Sequence, residues 1–181
     1  MTKKLDLDSI VEGCSKNDRT SQQALFEMFS PKMLALCMRY AHNKEEAEDM
    51  MIEGFVTVFK QIPNFKKKSS LETWIHTIMV HTAIDIYRTQ KKFRLHDDFD
   101  EHEEVGDLAS NEDIFTKLQA QQILAMMQKM PDELLVILNL HVIDGFTLTE
   151  IAEQMGKNIN TIRVYFMRAR RWLLDRIQDT K

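Results

Sequence analysis

The sequence predicts an all-α protein: two small helical domains joined by an acidic linker. Three observations carry that expectation. Apolar residues recur at helical spacing through long stretches, and no segment alternates as a half-buried strand does. Only 5 Gly and 3 Pro occur in 181 residues, too few turn formers for a chain of many strands, while 12 Met suit helices. Acidity is confined to one segment: residues 96–113 hold 9 carboxylates and no Lys or Arg, whereas 1–95 carry 15 basic and 12 acidic side chains and 114–181 carry 9 and 7. The expected domains are therefore 1–95 and 112–181, with 96–111 as a self-repelling linker.

The first domain divides into four helical pieces. Leu5 to Ser15 forms a short first helix. Ser21 to Tyr40 follows, bent or restarted at Ser30-Pro31, because proline is tolerated at a helix start and not inside one. Asn43 caps a helix from about Lys44 to Gln61, whose first turns carry Glu45, Glu46, Glu48 and Asp49, where carboxylates complement the helix dipole. Pro63-Asn64 breaks the pattern. Ser69-Ser70-Leu71-Glu72 is a capping box opening a helix to about Lys92. Leu71, Ile75, Ile78, Thr82 and Ile86 share one face of it, with Val80, Ile84 and Tyr87 opposite, as in a helix packed on both sides. Trp74 flanks the buried stripe and belongs with the core. Asp85 and Arg88, three apart, form a structural ion pair.

In the second domain a helix from about Glu112 to Lys129 precedes one started by Pro131 and running to about Val142. Two short helices joined by a tight turn follow. Thr147 and Glu150 form a capping box, Gly156 takes the left-handed conformation that ends the first helix, and Asn158 caps the second. The last helix carries Arg163, Arg168, Arg170, Arg171 and Arg176. At 100° per residue, Ile162, Phe166, Ala169 and Leu173 form its core stripe, flanked by Tyr165 and Trp172. Asn160, Val164, Met167 and Arg171 face the other way, beside Arg163 and Arg168. A capped helix, a glycine turn and an arginine-rich helix is the pattern of a major-groove reader, early residues reaching base edges and later arginines holding phosphates. The plain alternative is an amphipathic helix with a solvated basic face.

The composition also excludes classes. The net charge of −4 does not argue against nucleic acid, because it comes from the linker. Cys14 and Cys37 fit a reduced cytosolic compartment, and Cys37 lies in an apolar helical run. No segment has signal-peptide or membrane-spanning character, so no membrane insertion is expected. His76, His81, His96 and His102 lack zinc-ligand spacing, so no metal is expected. No paired acid and base, nucleophile motif or phosphate loop points to an enzyme or a cofactor.

Three stretches carry a family resemblance. They are Ala24 through Met33, Glu46-Ala47-Glu48-Asp49-Met50-Met51-Ile52-Glu53-Gly54-Phe55, and Leu71-Glu72-Thr73-Trp74-Ile75 through Asp85-Ile86-Tyr87-Arg88. They resemble region 2 of a bacterial RNA polymerase sigma factor of the two-domain, extracytoplasmic-function type, and Pro131 to Leu174 is similar to sigma region 4. Two positions depart from the pattern: Ile52 stands where Gln is common, and Gly54 where Thr is common. The start of the last helix, Lys157-Asn158-Ile159-Asn160, is more polar than usual, so no promoter sequence carries over.

The resemblance implies a cytoplasmic promoter-specificity subunit that binds core RNA polymerase and promoter DNA, as duplex and as melted strand, and that is commonly held by an anti-sigma factor. It implies an upstream-promoter surface of Lys157, Asn158, Asn160, Thr161, Arg163, Val164, Met167, Arg168 and Arg171. The downstream surface would be Asn64, Phe65, Lys66, Lys67, Lys68, Ser69, Ser70, Thr73, His76 and Thr77, with cations along a strand and hydrogen-bonding groups at an extruded base. Polymerase would meet Glu45, Glu48, Asp49, Ile52 and Glu53. Two other readings stay open: a helix-turn-helix repressor or activator with a sensing or dimerising N-terminal body, and a helical adaptor that binds only protein.

Overall fold

The computed structural model describes residues 6–93 and 120–179, and the regular structure in them is helical, with no strand among the described residues. The chain divides into two compact units, Met1–Ala83 and Ile84–Lys181. The expected linker, 96–111, and the expected helical residues 112–119 lie outside the described residues.

In the first unit, α1 (Leu7–Ser15) begins after Asp6 and α2 (Arg19–Cys37) after Asp18. Asp18 Oδ2 accepts the Ser21 hydroxyl at 2.7 Å and the Ser21 amide at 2.8 Å, and these bonds hold its carboxyl below the usual range. Of the expected bend or restart at Ser30-Pro31, the restart does not occur; α2 is one helix with Pro31 inside it. Pro31 is exposed while Phe29 and Met33 are buried, so the lost amide bond falls on the solvated side and packing holds the helix on either side of it.

Helix α3 (Lys44–Gln61) is capped as expected: Asn43 Oδ1 accepts the Glu46 amide at 2.8 Å, and Glu46 Oε2 accepts the His42 amide at 3.0 Å. A 3-10 turn at Ile62–Asn64 leads to the loop before α4 (Leu71–Phe93). The cap of α4 is Ser70, not Ser69. Its hydroxyl oxygen accepts the Thr73 amide at 3.0 Å, and Glu72 is drawn instead to Lys32 at 2.8 Å. Leu25, Phe29, Met33, Met50, Phe55, Val58, Ile75 and Met79 fill the core of this unit. The rings of Phe26 and Phe55 lie 4.7 Å apart, a contact worth about 0.5–1.5 kcal/mol beyond area burial. Cys14 and Cys37 are buried, and burial pushes their thiols up to about 11 and about 12.

In the second unit, α5 (Ala120–Met127) and α6 (Asp132–Leu138) precede a π-helical segment, Asn139–Ile143. The expected helix to Val142 thus widens after Leu138. The Asp144 amide reaches Asn139 O at 3.0 Å, five residues back, and the fully buried Asn139 amide group donates to Leu135 O at 3.0 Å. His141 Nδ1 lies 2.7 Å from the Phe146 carbonyl oxygen, which can only accept, so that nitrogen carries the proton. Helices α7 (Leu148–Met155) and α8 (Ile159–Asp179) complete the unit. Ala169, Leu173 and Ile177 of α8 pack with Met127, Leu135 and Leu138, and Ile162 is buried beside them in sequence on the same stripe.

Candidate functional site

The α7–turn–α8 motif is fixed by local chemistry at each end of α7. Thr147 donates to Glu150 Oε2 from its amide at 2.8 Å and from its hydroxyl at 2.7 Å, and Thr147 Oγ1 accepts the Glu150 amide at 3.2 Å. Both halves of the capping box are present, and they hold the Glu150 carboxyl below its ordinary value. Gly156 ends α7 at φ 63°, ψ 34°, where a side chain would be strained. Asn158 Oδ1 accepts the Asn160 amide at 2.8 Å and so opens α8.

The outward face of α8 follows. Asn158, Asn160, Arg163, Val164 and Arg171 are exposed, and Thr161, Met167 and Arg168 are half-buried. Arg163 Nη1 donates to Asn160 Oδ1 at 3.3 Å, which groups two base-edge candidates on one turn. Lys157 differs from the rest. Its ammonium lies 3.0 Å from Glu133 Oε1, and sequence reading missed this because the partners are 24 residues apart. Arg176 stacks on the Trp172 ring at 3.5 Å, and Arg170 stands 6.0 Å from the Phe166 ring.

The second surface is the loop from Asn64 to Ser70 and the start of α4. Asn64, Lys66, Lys67, Lys68, Ser69, Ser70, Thr73 and Thr77 are exposed; Phe65 and His76 are half-buried. Lys67 takes a left-handed backbone, φ 55°, and pairs with Asp8 at 2.6 Å. Trp74 was expected in the core. It is half-buried, its ring 5.1 Å from that of Phe65 at 42°, because the loop folds Phe65 back over it. The fold therefore sets an aromatic pair beside a row of cations.

The third surface is the outer face of α3. Glu45, Asp49, Ile52 and Glu53 are exposed together, and Glu48 is half-buried and pairs with Lys44 at 3.4 Å. Ile52 is 53% exposed and Val56, one turn on, 45%. Sequence reading missed Val56, although its spacing from Ile52 was the available signal. The face is an apolar centre with an acidic border. In the second unit an apolar cavity of about 260 Å³ is bordered by Met127, Leu138 and Phe166, with Val142 and Ile143 exposed at its edge.

Among the described residues no group of His, Cys, Asp and Glu is arranged to hold a metal ion, and no helix is long and apolar enough to cross a membrane.

Two family models match the chain: Sigma-70 region 2 over residues 25–93, and Sigma-70, region 4, over residues 120–173. The chain is 31% identical over 147 residues to the RNA polymerase sigma factor SigV of Bacillus subtilis, a match covering 81% of this chain and 83% of that protein. It is 24% identical over 188 residues to the ECF RNA polymerase sigma-E factor of Haemophilus influenzae, covering 98% of each. Among solved structures, the sigma factor RpoE from Bartonella quintana, in co-crystal with the anti-sigma factor NepR, is similar in fold. That match has a TM-score of 0.50 and 19% identity, and covers 84% of this chain and 94% of that one.

Proposed function

Because this chain belongs to the sigma-70 family of RNA polymerase sigma factors, of the extracytoplasmic-function type, we infer that it directs core polymerase to promoters through the three surfaces above. The family points to a non-enzymatic role. In this reading α8 reads the upstream promoter element, the Asn64–Ser70 loop and the start of α4 hold the melted downstream element, and the outer face of α3 docks on core enzyme. Residues 1–95 and 112–181 would be the working bodies, and the acidic residues 96–111 the tether between them.

The observation that carries the reading is the geometry of α7, Gly156 and α8. A fully formed capping box and a left-handed glycine present a helix whose first turns expose Asn160, Arg163 and Val164, with Arg171 two turns on. Early polar groups suit base edges and a later cation suits a phosphate. The lysine row beside the Phe65–Trp74 pair supports the strand-holding role, since charge tracks a backbone and a π-face accepts a base. The protein works in the cytoplasm, where polymerase is.

The test is transcription in vitro with purified core polymerase on genomic fragments, with start sites mapped. Specific starts that depend on the added chain support the reading. DNA binding without association with core enzyme would replace it with a helix-turn-helix repressor or activator. A partner that covers the DNA-reading surfaces is a further expectation, supported by the co-crystal of the Bartonella quintana sigma factor with an anti-sigma factor. A pull-down from uninduced cells that returns only polymerase subunits would remove it.

A further inference from the structure

Lys157 sits in the turn between α7 and α8, where a groove-reading motif often places a phosphate contact. Its surroundings argue for other work. The ammonium lies 3.0 Å from Glu133 Oε1, and the two side chains keep only 17% and 28% of their exposure. The same ammonium stands 4.9 Å from the centroid of the Tyr165 ring. The Lys157 amide donates to Ala152 O at 3.0 Å and so closes the end of α7. One residue therefore ties the first turn of α6, the end of α7 and the second turn of α8.

We propose that Lys157 is a positioning residue of the helix-turn-helix and not a DNA ligand: its pair with Glu133 and its seat against Tyr165 set the angle at which α8 meets the groove. This rests on the reading of α8 as the promoter-reading helix. Half-buried pairs are screened less by salt than exposed ones, so this contact persists under conditions that dissolve a surface pair. Glu133 lies in the first turn of α6, where the helix dipole favours a carboxylate. Taking Lys157 away to a phosphate would break a half-buried pair whose carboxylate also accepts the Tyr87 hydroxyl at 2.8 Å. A lysine held in a half-buried pair, unlike one in an exposed pair that can exchange its partner, displaces no net counterion from DNA, so it adds nothing to the salt dependence of binding. Arg163 and Arg171, exposed on the outer face, are in the opposite position.

The test uses the full chain and the variants Lys157→Met, Lys157→Arg, Glu133→Gln and Lys157→Met with Glu133→Gln. Without DNA, amide hydrogen exchange of residues 158–162 reports local opening. Protection should fall about tenfold in Lys157→Met and in Glu133→Gln, and no further in the double variant, as for coupled neighbours. Additive losses would overturn the proposal. With DNA, binding to a randomised promoter library is measured at two salt concentrations. Lys157→Met should lose about tenfold in affinity with broadened base preference, while its salt slope stays at the parent's. Lys157→Arg should restore the base preference. A slope shallower by about one unit with base preference intact would make Lys157 a phosphate ligand and overturn the proposal. A parent chain with no salt-dependent DNA binding would sink both readings, and coupling in the free-protein cycle would show that the ion pair itself was not at fault.

Discussion

Gly54 and Met79 meet where α3 crosses α4, and a Cβ on Gly54 would overlap the Met79 sulfur. The two helices come this close because one of them carries no side chain there. Met79 is fully buried, so it has little room to yield. Glycine weakens an isolated helix by about 1 kcal/mol relative to alanine, and at this position close packing offsets the loss.

Gly54→Ala should therefore lower stability despite its better propensity. Overpacking of about 2 kcal/mol against a propensity gain of about 1 leaves the variant about 1 kcal/mol less stable. Gly54→Thr, with a larger branched side chain, should lose more. Urea unfolding of each, combined with Met79→Ala in a double-mutant cycle, checks the pairing; strict additivity would show that Met79 is not what forbids the side chain.

Reversal of Asp49 and Glu53 to Lys should abolish association with core polymerase and leave the fold unchanged, because exposed helix positions alter stability by only about 0.5 kcal/mol. Ile52→Ala with Val56→Ala should weaken association without changing its salt dependence, since those side chains contribute apolar area. Gel filtration with core enzyme and far-UV circular dichroism make the pair of measurements. Loss of helicity alongside loss of binding would assign these residues to the fold.

Arg163 and Arg171 should fail in different ways. Ala at Arg163 removes a base-edge candidate and should relax preference within the upstream element, where a good contact gives roughly 1–3 kcal/mol of discrimination. Ala at Arg171 removes a phosphate candidate, lowering affinity for all sequences and flattening the salt slope by about one unit. Library binding at two salt concentrations decides. Indistinguishable sequence profiles, both parallel to the parent's, would leave α8 as an electrostatic clamp.

The capping box gives the second unit an acid-sensitive hold. Hydrogen bonds from the Thr147 amide and hydroxyl depress the Glu150 carboxyl below its ordinary 4.5. A depressed folded-state value means the contribution is complete above the unfolded value and disappears as pH falls through the folded one. Glu150→Gln keeps the box without a titrating group. Its deficit in thermal midpoint relative to the parent should therefore be present at about pH 7 and shrink as the pH falls below the ordinary carboxyl value of 4.5. A constant deficit across that range would count against the mechanism. Thr147→Ala should cost about 1 kcal/mol at neutral pH.

Features that depend on near neighbours in the chain were legible in the sequence. The Asn43 cap, the Thr147–Glu150 box, the Gly156 turn and the Asp85–Arg88 pair, 3.8 Å apart, all join residues within four positions or fewer. The core stripe of α8 was legible because 100° periodicity and burial coincide there. What escaped depends on tertiary packing. Pro31 breaks no helix because buried residues on either side hold it. The cap of α4 is Ser70 because the helix starts at Leu71, one residue later than the box requires, and Glu72 pairs with Lys32, 40 residues away. The π-helical turn at Asn139 and the pairing of Lys157 with Glu133 likewise have no local signature. In the candidate surfaces, the outward face of α8 was legible from its periodicity, while the division between exposed and internally paired cations was not.

The backbone at Lys67 has a consequence for how this protein can be improved. An L side chain at φ 55° costs about 1–2 kcal/mol relative to glycine. The exposed pair with Asp8 returns about 1 kcal/mol at most. Folding alone would favour glycine at the loop tip, and the proposed strand-holding role would account for a cation there. On that proposal, stability and activity pull in opposite directions at this one position. A Lys67→Gly chain should melt no earlier than the parent and open promoters less well, so selection for thermal robustness would erode the loop before it touched the core.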